Sequence, residues 1–377
     1  MSHPHFLEPA YGQRSLGDVV PAVAAALGVP GAAEPTGLVL PDAASYVVFL
    51  IDGLGANLLT RYAHAAPYLS ELLADQLPAA PATCGVPSTT ATSLTSLGTG
   101  LSPGSHGLVG FTSRVPGTGK LLNALLWDQD VDPLEWQPHQ TAFGRLQAAG
   151  VPVTVVNKRE FERSGLTRAA HRGGDYVGAD LVGERIAAAV ASSAVRPSLT
   201  YLYDGDLDRT GHQWGVASSQ WLMQLSMIDA EAEQLRETLP SHVRLVVIAD
   251  HGMVDSPTDR RIDVDEHHEL RDGVALMGGE ARFRHLYCQR GAIDDVVATW
   301  SSVLGERAEV MTRSTAIGRG WFGPVDALVL PRLGDVVVAC RSDHAILSTR
   351  DFAYEATLVG LHGSLTPDEM LIPLVVD

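Results

Sequence analysis

A series of short apolar, β-branched runs constrains this chain most: YVVFLI (46–51), VPVTVV (151–156), SLTYLY (198–203), VRLVVIA (243–249), DALVLP (326–331), DVVVAC (335–340) and MLIPLVV (370–376). They lack the strict alternation of a strand with one wet face, so they suit strands buried on both faces. Helix-like stretches lie between them at 141–149, 178–193 and 216–238. Strands alternating with helices predict an α/β fold with a mostly parallel central sheet sandwiched by helices. With 377 residues, 45% of them hydrophobic, the chain can bury a large core. No internal repeat interrupts the pattern.

The texture changes between 258 and 322. The charged SPTDRRIDVDEHHELRDG precedes strand-like ARFRHLYCQ, helix-like AIDDVVATWSSVLGE and strand-like AEVMTR. This pattern predicts a small α/β cap subdomain (258–322) inserted into a core of 1–257 and 323–377, with the sheet resuming near 326.

A formal net charge of −17 disfavours nucleic-acid polymers and anionic membranes as partners. The three cysteines, Cys84, Cys288 and Cys340, are far apart and form no CxxC, arguing against a disulfide framework or a thiolate metal site. The opening MSHPHFLEPAYGQRS lacks a basic stretch followed by an apolar run, and no run approaches the length of a membrane span. The expectation is a cytoplasmic protein with no membrane partner; the oligomeric state is open.

In open α/β sheets, ligands bind beyond the carboxyl ends of the strands. YVVFLI leads there into Asp52, SLTYLY into DGDLDRTGH with Asp208 and His212 four residues apart, and VRLVVIA into Asp250 and His251. His362, in GLHGS, precedes the last apolar run. Singly, each has a local reading: Asp52 as a helix cap, Asp208 and His212 as a solvated helix pair, His251 and His362 as turn or loop histidines. Gathered at one sheet edge, these oxygen and nitrogen donors suit a divalent cation such as Zn²⁺. The uncharged stretch TCGVPSTTATSLTSLGTGLSPGSHG (83–107) reads as a loop entering a small-residue helix. A Thr hydroxyl at that helix start would face bound metal and a positive dipole end, which favours an alkoxide nucleophile. Helix capping by Ser88, Thr89 or Thr90 is the alternative use of the same hydroxyls.

These residues resemble the alkaline phosphatase superfamily, and within it the nucleotide pyrophosphatase/phosphodiesterase branch. FLIDGLGANLL resembles its first metal-Asp motif, TATSLTSLGTGLSPGSHG its nucleophile helix, and DLDRTGHQWG its D-x-x-G-H-x-x-G segment. ADHGM is similar to its Asp-His pair and GLHGS to its final His. The resemblance implies an alkaline phosphatase-like fold with two divalent metal ions, Zn²⁺ expected. Asp52, Asp250 and His251 would hold one ion, and Asp208, His212 and His362 the other. Thr90 would be the catalytic nucleophile and itself a metal ligand, with Thr89 the alternative one residue away. The implied reaction is in-line phosphoryl transfer from a small phosphoester such as a nucleotide, through a phospho-threonine. The family's Asn, which helps hold a phosphoryl oxygen, is absent, and HGLVGFTSRV places Phe111 at the ungapped position. Monoester, phosphonate-hydrolase and phosphomutase activities on the same metal core are alternatives, as is a non-catalytic metal-bearing protein. A mutase would want basic phosphate clamps, and only NKREFER (157–163) offers a cluster.

Overall fold

Ser45–Ile51 is buried at every position and forms the middle of a seven-stranded sheet in the computed structural model, which describes residues 6–29, 31, 36–77 and 81–377. Residues 1–5, part of the stretch read above for a leader, lie outside those described. Across the sheet the strands run Pro81–Thr83, Leu371–Val376, Val243–Ile248, Ser45–Ile51, Ser198–Asp204, Val153–Asn157 and Asp175–Gly178. The five from Val243–Ile248 to Asp175–Gly178 are mutually parallel, and Leu371–Val376 adds antiparallel to them. Helices pack against this sheet in two sets. Pro67–Asp75, Val182–Ser193 and Ser219–Thr238 form one, and Val19–Ala26, Thr90–Thr99, Ala142–Ala148 and Gly165–Ala170 the other. Each fully buried Val, Leu or Ile in this core contributes about 1.5–3 kcal/mol against the cost of ordering the chain.

The region read as helix-like from 178 divides: Asp175–Gly178 is the edge strand, and the helix starts at Val182. DALVLP is not a strand. Its tail is a short 3-10 turn, Leu330–Arg332, with Leu328 exposed to solvent. Pro331 lacks an amide donor, and an apolar run alone does not supply a sheet edge.

DVVVAC is a strand, Val336–Cys340, but it does not rejoin the central sheet. It lies between Phe283–Cys288 and Ala308–Thr312 in an antiparallel four-stranded sheet completed by Val274–Glu280. Val336, Val338 and Cys340 join Leu286, Trp300 and Leu304 in a separate apolar cluster. The expected boundary at 322 therefore falls inside this second unit, and the central sheet resumes only at Leu371. The physical reason is that Val336–Cys340 is an inner strand covered on both faces, which gives the same apolar signature in either sheet. Among the described residues, no helix is long and apolar enough to cross a membrane.

Candidate metal centre and nucleophile

Three adjacent parallel strands, Val243–Ile248, Ser45–Ile51 and Ser198–Asp204, present their carboxyl ends side by side, and each feeds the site. Asp52 directly follows the first of these in sequence, and its amide donates to Asp204 O (2.9 Å), extending the strand pairing. The chain then turns at Gly53 (φ +75°), where an added Cβ would lie 3.0 Å from Asp208. Left-handed backbone and close approach both call for glycine here.

Asp204 starts the helix Asp206–Trp214. Its Oδ1 accepts from the Asp206 amide (2.8 Å), while Arg185 donates to its Oδ2 (2.7 Å) and also pairs with Glu231 in the protein interior. On this helix Asp208 and His212 share a face by i,i+4 spacing, with Oδ2 and Nε2 3.3 Å apart. Asp250 is fixed by amides, accepting at Oδ1 from Gly53 (3.0 Å) and His251 (2.9 Å). His362 arrives from far in sequence because Gly360–Leu361 pairs with Val254–Asp255 just beyond His251.

The small-residue helix spans Thr90–Thr99, capped at its carboxyl end by left-handed Gly100. Gly98 lets it pack closely, since a Cβ there would sit 1.9 Å from Ala170 O. Thr89 is its N-cap residue in extended conformation, but its side chain makes no capping bond. Ser88 instead ties the loop to the last histidine's segment: its hydroxyl donates to Ser364 O (2.6 Å) and accepts from the Gly363 amide (3.1 Å). His106, in the motif's tail, is buried against Ser96 (2.9 Å), where burial pushes its pKa down to about 3; it belongs to the helix packing.

Thr90 Oγ1 stands 3.4 Å from Asp52 Oδ2 and 3.2 Å from His251 Nε2. His251 Nε2 lies 3.5 Å from Asp52 Oδ1 and 3.4 Å from Asp250 Oδ2. Alongside, His362 Nε2 is 3.8 Å from Asp208 Oδ1 and 3.2 Å from His212 Nε2. The rings of His251 and His362 stack at 3.7 Å, joining the two groups. All seven residues singled out in the sequence thus meet in one place. Thr89 Oγ1 points elsewhere, toward Glu280.

The donor set fits cations. Asp52 Oδ1, Asp208 Oδ1 and Asp250 Oδ2 are buried with no hydrogen-bond partner, a costly arrangement unless a positive charge meets them. Burial, then the charges of Asp250 and Asp208, hold the Asp52 carboxyl well above the usual range. All three histidines have Nδ1 within hydrogen-bond distance of a backbone carbonyl: His212 to Gly360 (2.8 Å), His251 to Gly252 (2.9 Å) and His362 to Ser88 (2.9 Å). Donation from Nδ1–H leaves each Nε2 lone pair free for a metal. Two clusters have mutual ligand-atom spacing suited to an ion: Asp52, Asp250 and His251, and Asp208, His251 and His362. His212 joins the second through its contacts with Asp208 and His362.

Sequence reasoning missed Tyr203, whose buried hydroxyl donates to Asp52 Oδ2. Its position at the end of SLTYLY was the available signal. It also missed Glu280, delivered from the second sheet with no local motif. The basic run 157–163 offers no free clamp at Lys158 or Arg159: Lys158 pairs with Asp206 (2.6 Å), and Arg159 with Asp180 and Glu184.

Fold and site together define an enzyme scaffold of the alkaline phosphatase superfamily. Residues 46–365 match the family of type I phosphodiesterases and nucleotide pyrophosphatases, and the chain belongs to that family. Among solved structures, murine ectonucleotide pyrophosphatase/phosphodiesterase 5, inactive and in complex with AMP, is similar with a TM-score of 0.66 and 17% identity, over 87% of each chain. Phosphonoacetate hydrolase from Sinorhizobium meliloti, in complex with phosphonoformate, has a TM-score of 0.68 and 20% identity, over 90% of this chain and 91% of that one. These two likenesses establish the fold. A venom phosphodiesterase from Macrovipera lebetinus is 31% identical over 96 residues, which are 24% of this chain and 11% of that protein.

Proposed function

We propose that this chain is a metal-dependent phosphodiesterase acting through a phosphorylated Thr90. The observation that carries the diester reading is a pair of cavities, about 160 and 170 Å³, that share Thr90, Leu125 and Asp208 as common walls. A diester phosphorus has an organic group on two sides, and a monoester on one. The first cavity is walled by Phe111, Tyr354 and Leu358, the second by Leu94, Phe161 and Leu166. Neither lining contains Lys or Arg, so neither is matched to a carboxylate or a further phosphate. This supports apolar or aromatic diester substituents over carboxy-phosphonates and long pyrophosphates.

Asp52, Asp250 and His251 would hold one divalent ion, and Asp208, His212 and His362 the other. When bound, such ions lower the pKa of a hydroxyl and neutralise charge on the transferring phosphoryl group. Thr90, at the first turn of its helix, supplies Oγ1. Oγ1 gives its proton to solvent and bonds to phosphorus as the ester P–O bond breaks, and the leaving alkoxide takes a proton from solvent. Water then attacks phosphorus and releases a proton, Oγ1 departs and takes one up, and the threonine hydroxyl is restored. Tyr203 holds the Asp52 carboxylate in place. Catalysis then rests mainly on positioning and electrostatics.

The test is turnover of bis-p-nitrophenyl phosphate against p-nitrophenyl phosphate, with metal content measured in parallel. Thr90→Ala is expected to lose at least about 10⁴-fold in kcat with both metals retained. Wild-type rates in Thr90→Ala would overturn the nucleophile, and a monoester preference would overturn the diester reading.

A further inference from the structure

Asn157 ends the strand Val153–Asn157, is 3% exposed, and lines the second cavity, which Asp52, Thr90 and Tyr203 also line. Its backbone is held from both sides. The strand pairs with Ser198–Asp204 and with Asp175–Gly178, and the Asn157 carbonyl accepts from the Ala179 amide (2.8 Å). Its Oδ1 accepts from the Lys158 amide (2.7 Å). A backbone N–H only donates, so the side-chain atom it meets is the oxygen, and Nδ2 is the free end of the amide. Nδ2 has no hydrogen-bond partner among the described residues.

A second polar side chain of the same lining is in the same condition. His171 is 3% exposed, and both of its ring nitrogens lack a hydrogen-bond partner. Its ring packs on Phe143 and Tyr201, with centroids 5.7 and 4.8 Å away. Ser164 and Thr167, by contrast, bond to each other: Ser164 Oγ donates to Thr167 Oγ1 (3.0 Å) and accepts from the Thr167 amide (3.1 Å). Polar groups this deep are normally paired, and a free donor on a cavity wall marks a place for an acceptor. The strand register says which part of a substrate arrives there. Val156 pairs with Leu202, and Leu202 with Phe49, so the strand bearing Asn157 lies two strand spacings, about 10 Å, from the one leading to Asp52. Phosphorus bonded to Thr90 would sit on the Asp52 side of the cavity, and the Asn157 amide stands across from it, toward the organic substituent.

We infer that Asn157 is a specificity-determining residue, its Nδ2 donating a hydrogen bond to a neutral acceptor, such as a carbonyl oxygen, on the organic group that fills the second cavity. This rests on the phosphoryl-transfer reading above and narrows its substrate class. The amide is uncharged and no Lys or Arg stands in the lining, which suits a neutral acceptor better than an anion. Leu94, Phe161 and Leu166 fit the rest of the group if it is apolar.

The experiment measures binding of benzylphosphonates, which carry no ester bond, to the metal-loaded protein by calorimetry. Two isosteric pairs are compared, the 3- and 4-acetyl compounds against the 3- and 4-isopropenyl compounds. Each pair differs by a carbonyl oxygen in place of a methylene. Wild type is expected to bind the better-placed acetyl compound about 3–10-fold tighter than its isopropenyl partner, the scale of one neutral hydrogen bond. Asn157→Asp keeps an oxygen for the Lys158 amide and removes the donor, while Asn157→Leu removes both. Each should lose the preference with metal content unchanged. The ratio within a pair does not move when a variant merely loosens the fold, and Asn157→Asp decides alone if Asn157→Leu does not fold. Equal affinities within both pairs in wild type overturn the inference, as does a preference that survives in Asn157→Asp. Metal loss in Asn157→Asp also overturns it, by making Asn157 a support of the metal centre. An Asn157-dependent acetyl preference in a protein that hydrolyses neither p-nitrophenyl ester would uphold this inference and overturn the hydrolase reading; diester turnover without the preference would do the reverse.

Discussion

The two halves of the candidate metal centre are built differently. Asp52, Asp250 and His251 sit at or just beyond the ends of adjacent parallel strands and are at most 2% exposed. Their positions are set by backbone amides and by Tyr203. Asp208, His212 and His362 come from a helix and a distant loop, and the His212 side chain is 24% exposed. The strand-end half is rigid and crowded with like charge. Asp208, His212 and His362 of the helix-and-loop half all line the first cavity.

The largest effect should come from breaking the rigid half. Asp52→Asn is expected to lower kcat by about 10³-fold or more, the scale of losing a preorganised electrostatic element. Equal losses in Asp52→Asn and His212→Ala would remove the distinction between the halves. Stability separates them next. With a chelator present, His251→Ala should lose about 2–4 kcal/mol of unfolding free energy in urea, as for other large-to-small changes in a packed interior. His212→Ala should lose under about 1 kcal/mol, because its ring is partly in water.

Metal removal probes the charge crowding. At metal concentrations near 1,000 times Kd, chelation is expected to remove about 4 kcal/mol of stability, read as a fall in Tm. Asp52→Asn should shrink that difference. The sign with pH follows from the raised Asp52 pKa. In the metal-free protein its contribution is fully favourable below the unfolded carboxyl pKa and is lost as pH rises through the higher folded value. Metal-free protein should therefore lose stability on going from acid to neutral pH, and metal should flatten that slope. The smallest effect belongs to the cavity wall. Phe111 packs against Tyr354 at 5.8 Å, and Phe111→Ala should raise KM for an aromatic diester about 3–10-fold with kcat retained.

The rigid half was also the more legible. Asp52 and Asp250 follow apolar runs whose burial on both faces announces central strands, so their place at a carboxyl edge followed from sequence. Asp208 and His212 were legible as a pair because i,i+4 spacing puts them on one helix face. His362 was legible by its motif, though its route to the site depends on the Gly360–Leu361 pairing with Val254–Asp255. DVVVAC shows the limit of the pattern: two-face burial is written in the sequence, but the sheet that provides it is not. DALVLP shows another, since an apolar run containing Pro and lacking a partner edge remains a turn. Between Thr89 and Thr90 the residue types are the same. Their separation came from helix geometry, which turns one hydroxyl toward Asp52 and His251 and the other toward Glu280.

The sequence by itself therefore determined the α/β class, the family and the residues able to hold cations, because periodicity and donor chemistry are local properties. The tertiary structure decided which sheet claims Val336–Cys340, which threonine faces the candidate metal ligands, and that Glu280 from the second sheet reaches the Phe111 amide. Those outcomes depend on contacts between segments from a few tens to well over a hundred residues apart, and the energies that select them exist only once the chain has packed.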